Sequence, residues 1–139
     1  MKLDLVCARD WMTRKVVMAE PHESLRAAVA RMGEHRIHGL LVRPESPSRG
    51  YSILTGKDCI RVLCDAGEAA LDDLCVEDAM TRPAVTVPAD LCIADCLRLM
   101  RMAGVRTAPV LDRGELVGIL SFTDVLNHLS TRSDGRAEA

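Results

Sequence analysis

Two stretches of the sequence close on the same pattern of residue types. Ser52-Ile-Leu-Thr-Gly-Lys-Asp58 and Gly118-Ile-Leu-Ser-Phe-Thr-Asp124 each run from apolar residues into a hydroxyl residue, with an aspartate three positions further on. That spacing suits a helix N-terminus. There Thr55 or Ser121 accepts a backbone N–H while Asp58 or Asp124 reaches back to the cap, a capping box that stabilises a helix by about 1 kcal/mol. A helix N-terminus also presents free N–H groups and the positive end of the helix dipole, so an exposed aspartate there can serve a polar ligand instead. On the phrase alone both uses stay open.

Other residues with chemical potential lead nowhere comparable. His35-x-x-His38 has no carboxylate or thiol companion at a fixed spacing, and a histidine at a helix end serves the dipole, so no metal site is expected. The six cysteines at 7, 59, 64, 75, 92 and 96 contain no C-x-x-C pair and read as reduced, buried, small hydrophobes. Cys92 and Cys96, four residues apart, share a helix face but lack further ligands for a soft metal. Gly56-Lys57 imitates the end of a phosphate loop, yet position 51 is Tyr where that motif needs Gly. No nucleophile, base and acid fall together by spacing, so no catalytic residue is assigned.

Composition narrows the partners. The formal charge is -2 and the pI about 6.1, so there is no basic field to hold a phosphate backbone, and three aromatic residues give no base-stacking platform. Nucleic acid is excluded as a partner. The N-terminal stretch lacks the apolar core of a signal peptide, and no apolar run reaches the roughly 20 residues of a membrane span. A cytoplasmic chain without membrane contact is the expectation.

The elements that must position the two aspartates come in two copies. At an offset of 68, Asp10-Trp-Met-Thr-Arg14 falls on Asp78-Ala-Met-Thr-Arg82, and Val17, Leu25, Val29, Met32 and Val42 fall on Val85, Ile93, Leu97, Met100 and Val110. The match continues at an offset of 66, with Ile53-Leu54 on Ile119-Leu120 and Asp58 on Asp124. The two extra residues of the first copy belong to 43–50, opposite the short turn 112–114. Each copy reads as a short extended piece (16–18; 85–87), a helix begun by Ser24 or Asp90, two strands (39–42 and 51–54; 107–111 and 116–121) and a closing helix (56–65; 122–130). The fold class is therefore mixed α/β, a doubled β-α-β-β-α unit. A unit of about 60 residues buries too little alone, so the halves are expected to pack into one core. The domains are 6–70 and 75–130, and the small polar tail 131–139 reads as disordered.

Doubled units of this order, each with D-x-M-T and closed by G-h-h-[ST]-x-x-D, resemble cystathionine β-synthase (CBS) domains in tandem, the Bateman module. The resemblance covers about residues 6–130. It implies a protein made of the pair alone, non-catalytic, without an obligatory cofactor, that binds AMP, ADP, ATP or S-adenosylmethionine, forms a homodimer and signals to an effector protein. By the same resemblance Ser121 and Asp124 contact the ribose in the second copy, and Thr55 and Asp58 in the first. Adenine would lie against Val85 and Thr86, or Val17 and Met18. Phosphates would meet Arg106 in the second copy and Arg36 and His38 in the first, with Arg14 and Lys15 near the first site and Arg82 near the second. The first copy departs from the pattern at Ser52, which replaces the leading Gly and is expected to narrow that cleft. The competing reading is a ligand-free dimerisation or protein-interaction module in which both aspartates only cap helices.

Overall fold

The computed structural model describes the backbone of residues 3–46 and 50–138, with side chains through Thr131. After a short 3-10 turn at Leu3–Leu5, the helices are α1 (Ala8–Trp11), α2 (Leu25–His35), α3 (Gly56–Ala66), α4 (Ala70–Asp73), α5 (Val76–Ala79), α6 (Ile93–Ala103) and α7 (Phe122–Glu138). The strands are β1 (Met18–Ala19), β2 (Gly39–Val42), β3 (Ser52–Thr55), β4 (Val87–Pro88), β5 (Thr107–Asp112) and β6 (Glu115–Ser121). They form two three-stranded sheets, β1-β2-β3 and β4-β5-β6, each with one parallel and one antiparallel pairing. No helix among the described residues is long and apolar enough to cross a membrane.

The chain divides into two compact units. The first is Val17–Ala84; the second joins Met1–Val16 to Val85–Ala139. The division cuts each sequence repeat just behind its M-T-R. In the second unit, Thr13 of the first repeat pairs with Ile119, the Thr13 N–H donating to Ile119 O at 2.8 Å and the Ile119 N–H to Thr13 O at 2.9 Å. In the first unit, Thr81 of the second repeat pairs with Ile53 in the same way, at 2.8 and 3.1 Å. Each repeat thus lends its M-T-R segment to the sheet of the other.

Helical and strand periodicities account for both cores. α2 buries Leu25, Ala28 and Met32, and α6 buries Ile93, Cys96 and Met100 at the same spacing, one stripe per helix turned to the sheet. Leu40, Leu41 and Val42 on the central strand β2 are all buried, because that strand has a neighbour on either side and is covered on its faces. Fully burying each such side chain contributes about 1.5–3 kcal/mol.

Two details differ from the sequence reading, and a third falls partly outside the described residues. Ser24 caps α2, accepting from Ala27 N–H at 3.1 Å, but the second copy's helix is capped at Cys92 and not at Asp90. The repeat register itself places position 92 on 24; a polar residue two positions earlier was the wrong marker. α7 carries helical backbone to Glu138, across the polar stretch read as disordered. The turn read across 43–50 includes residues 47–49, which lie outside the described residues.

Two non-glycine residues hold a left-handed backbone, Arg36 at φ 55 and Arg113 at φ 54 in the β5–β6 turn. Arg36, closing α2, has φ 55 and ψ 46, whereas its counterpart closing α6 is Gly104 at φ 72 and ψ 27. A left-handed conformation costs an L-residue about 1–2 kcal/mol. Arg36→Gly is expected to raise unfolding free energy by about 1 kcal/mol in urea melts; an unchanged midpoint would show that the surroundings already relieve the strain.

Candidate functional site

In the second unit, β6 hands over to α7 at Ser121. The Ser121 N–H donates to Asp124 Oδ2 at 2.9 Å, and the Asp124 N–H donates to Ser121 Oγ at 3.0 Å. The capping box expected from S-x-x-D is therefore formed. It uses one carboxylate oxygen. Asp124 Oδ1 accepts the hydroxyl of Thr13 at 2.9 Å, a contact spanning 111 positions of sequence that the spacing of the motif does not reveal. Asp124 is half-buried.

The remaining second-copy candidates gather at the same end of the sheet. Arg106, just before β5, accepts the N–H of Phe122, the first residue of α7, on its carbonyl at 2.9 Å. Thr107 pairs with Ser121, and Val87 pairs with Val110 in parallel, so Val85 and Thr86 approach β4 from the end where β5 begins and β6 finishes. Two strand spacings, about 10 Å, separate that edge from Ser121. Ser121, Asp124, Arg106, Val85 and Thr86 are thus brought together in one unit.

Gly118, the leading glycine of the motif, explains why Thr13 can lie there. A Cβ on Gly118 would sit 2.6 Å from Met12 Sδ and 2.8 Å from Thr13 O. The M-T segment passes directly over the bare backbone, and its pairing with Ile119 depends on that approach.

The first unit builds the same corner with a different carboxylate environment. The Thr55 N–H and hydroxyl both donate to Asp58 Oδ2, at 2.9 and 3.0 Å, and Arg61 Nη2 donates to Oδ1 at 3.1 Å. Asp58 is 2% exposed. Both of its oxygens are engaged within the unit, and Asn127 stands in the second copy at the position of Arg61. His38 accepts the Gly56 N–H on its carbonyl at 2.8 Å, as Arg106 does for Phe122, and Val17 O accepts from Leu41 at 3.2 Å beside Met18 in β1. Arg36 is exposed at the end of α2.

The structure corrects the placement of the flanking cations. Arg14 and Lys15 follow Thr13 and so go with the second copy's corner, while Arg82 follows Thr81 and goes with the first; the exchange of M-T-R segments reverses the order read from the repeats. Ser52 is buried and lines a cavity of about 190 Å³ in the first unit, together with Arg43, Gly50, Met80, Arg82 and Pro83 among others. That volume is below the roughly 300–1,000 Å³ of small-molecule sites. At its margin His22 links two carboxylates, Nε2 to Glu45 at 3.5 Å and Nδ1 to Glu77 at 3.3 Å, on the surface; His35 and His38 take no part.

This doubled architecture is that of a known family. The CBS domain family matches residues 8–65 and 76–131, and the chain belongs to it, as a tandem pair. Protein MK0525 of Methanopyrus kandleri is 28% identical over 114 residues, 81% of this chain but 57% of its own length, so the chain spans little more than half of that relative. A hexameric CBS-CP12 protein from bloom-forming cyanobacteria superposes with a TM-score of 0.81 at 30% identity, covering 87% of this chain and 66% of that one. The CBS domain pair of protein MJ0100, solved with 5'-methylthioadenosine and S-adenosyl-L-methionine, has a TM-score of 0.77 at 20% identity over 91% of this chain and 98% of that one, a likeness of fold.

Proposed function

We propose that the chain is a non-catalytic regulatory module that binds an adenosine-containing ligand at the second unit's corner and passes its occupancy to a partner protein. The observation that carries this reading is the state of Asp124. Its Oδ1 accepts an alcohol donor, Thr13, on a half-buried carboxylate. Ribose hydroxyls are donors of the same kind and can replace it, with Ser121 beside them. Val85 and Thr86 offer the adenine a strand edge, and Arg106 gives a bidentate partner for phosphate if the ligand carries it. The ligands in the MJ0100 pair support the adenosine class.

At the first corner the capping reading is favoured. Asp58 is buried with both oxygens engaged, and a ribose there would have to displace Arg61. Thr55, Asp58, Val17, Met18, Arg36 and His38 therefore form the weaker site.

Self-association belongs to the same proposal, as a homodimer in the cytoplasm. Ile60 on α3 and its repeat counterpart Leu126 on α7 are 58% and 65% exposed, apolar residues at matching places in both units. The hexameric CBS-CP12 protein supports assembly of such pairs.

Thermal unfolding with AMP, ADP, ATP and S-adenosylmethionine tests the ligand. A ligand at 100 times its Kd stabilises by about 2.7 kcal/mol, which for a chain of this size raises Tm by on the order of 3–6 °C. If no member of the panel moves the transition, the ligand-free interaction module replaces the sensor.

A further inference from the structure

We propose that Cys7 and Cys92 form a dithiol site that low-molecular-weight disulfides oxidise to an intrachain cross-link. The argument rests on backbone register. Cys7 and Cys92 face each other across an isolated antiparallel bridge in the second unit. The hydrogen bonds flank the pair: the Ala8 N–H donates to Leu91 O at 2.9 Å and the Ile93 N–H to Val6 O at 2.7 Å. Such a pair, bracketed by bonds it does not itself make, holds its Cα atoms about 4.5 Å apart with side chains on one face. A disulfide needs a Cα separation of about 4.4–6.8 Å. Both residues are half-buried, so a small reagent can reach them.

The other unit supplies an internal comparison. Ser24 and Cys75 occupy the same two places, with the Leu25 N–H donating to Leu74 O at 3.0 Å and the Val76 N–H to Glu23 O at 2.9 Å. The geometry is repeated, but one partner is a hydroxyl, and no cross-link can form there.

A third thiol lies close behind and is held out of the reaction. Cys96 is buried, its Sγ directed to Leu91 O at 3.6 Å. Burial first, then the neighbouring Cys92, Asp95 and Cys7, push its thiol up to about 11, so it stays protonated where the thiolate is the nucleophile.

The chemistry balances with a disulfide oxidant. One thiolate of the pair attacks a sulfur of the reagent, forming a mixed disulfide and expelling one reagent thiol. The second attacks the protein sulfur of that mixed disulfide, forming the Cys7–Cys92 bond and expelling the other reagent thiol. The protein loses two electrons and two protons, and the reagent disulfide gains them. The bond ties the segment that carries Met12 and Thr13 to the start of α6.

The test uses the full chain with Cys64→Ser, which removes the exposed thiol, reduced and then treated with oxidised glutathione before alkylation and mass spectrometry. The expected product is a cross-link within one chain, at the mass of a single polypeptide, with two alkylatable thiols lost and the bond mapped to Cys7 and Cys92. Adding Cys7→Ser or Cys92→Ser should abolish the cross-link, and Cys96→Ala should leave it. Cys92→Ser copies Ser24 at the same helix cap, so that variant is expected to fold. Ser24→Cys should create a second cross-link with Cys75. A bond between Cys92 and Cys96, a stable glutathione adduct without closure, or failure of Ser24→Cys to cross-link would each overturn the proposal.

Discussion

Gly118→Ala is expected to destabilise the protein by about 2–4 kcal/mol, seen as a lower urea midpoint at unchanged m value. The added methyl group would meet Met12 Sδ at 2.6 Å, which a flexible side chain could yield, and Thr13 O at 2.8 Å, which is backbone. That carbonyl accepts the Ile119 N–H at 2.9 Å, so moving it breaks the pairing that joins the M-T segment to β6. Overpacking costs about 1–3 kcal/mol, and loss of the backbone hydrogen bond adds about 1 kcal/mol. The first unit shows how the alternative is built: Ser52 holds the equivalent place, Met80 and Ser52 share the walls of a cavity, and Thr81 still pairs with Ile53. Ser52→Gly should therefore be mild, at most about 1 kcal/mol from added chain freedom. A Gly118→Ala loss below about 0.5 kcal/mol would mean that the M-T segment is free to shift.

Asp124→Asn is expected to weaken the adenosine ligand by about 100-fold in calorimetric titration, while Asp58→Asn changes affinity less than about threefold. A hydrogen bond to a charged acceptor contributes about 1.5–3 kcal/mol, and each 1.4 kcal/mol is tenfold in Kd. Asn keeps the shape but replaces one acceptor oxygen by a donor, so at least one ribose hydroxyl loses its partner. The helix cap is affected in both variants, since each aspartate bonds its cap residue's N–H at 2.9 Å. A loss of baseline stability common to both and a loss of binding confined to Asp124 would separate the two roles of one residue type. Equal losses of affinity would show that both corners bind, and the engaged, buried state of Asp58 would then have to open. Thr13→Val bears on the same point: without the Thr13 hydroxyl on Oδ1, the ligand has less to displace, and affinity should rise.

Much of this architecture was legible because it is local. Ser24, Leu25, Ala28 and Met32 announce a capped amphipathic helix within a dozen positions, and the same stripe in Ile93, Cys96 and Met100 confirms the register of the repeat. The hydroxyl and aspartate of each closing phrase lie three residues apart, so their capping geometry follows from helix spacing alone. The short helices Ala8–Trp11, Ala70–Asp73 and Val76–Ala79 escaped, being a single turn each, too brief for periodicity to register.

Pairings remote in the chain were not legible. A repeat says that two M-T-R segments and two sheets exist; it does not say which segment completes which sheet, because either arrangement satisfies the same local pattern. Tertiary structure chose the exchange, placing Thr13 on Asp124 and Thr81 beside Ile53, and with it the grouping of Arg14 and Arg82. It likewise made the two aspartates unequal, since Arg61 closes over one carboxylate and a replaceable hydroxyl covers the other. Spacing specifies contacts within a turn or a hairpin; contacts across a hundred residues depend on packing, which no short pattern encodes.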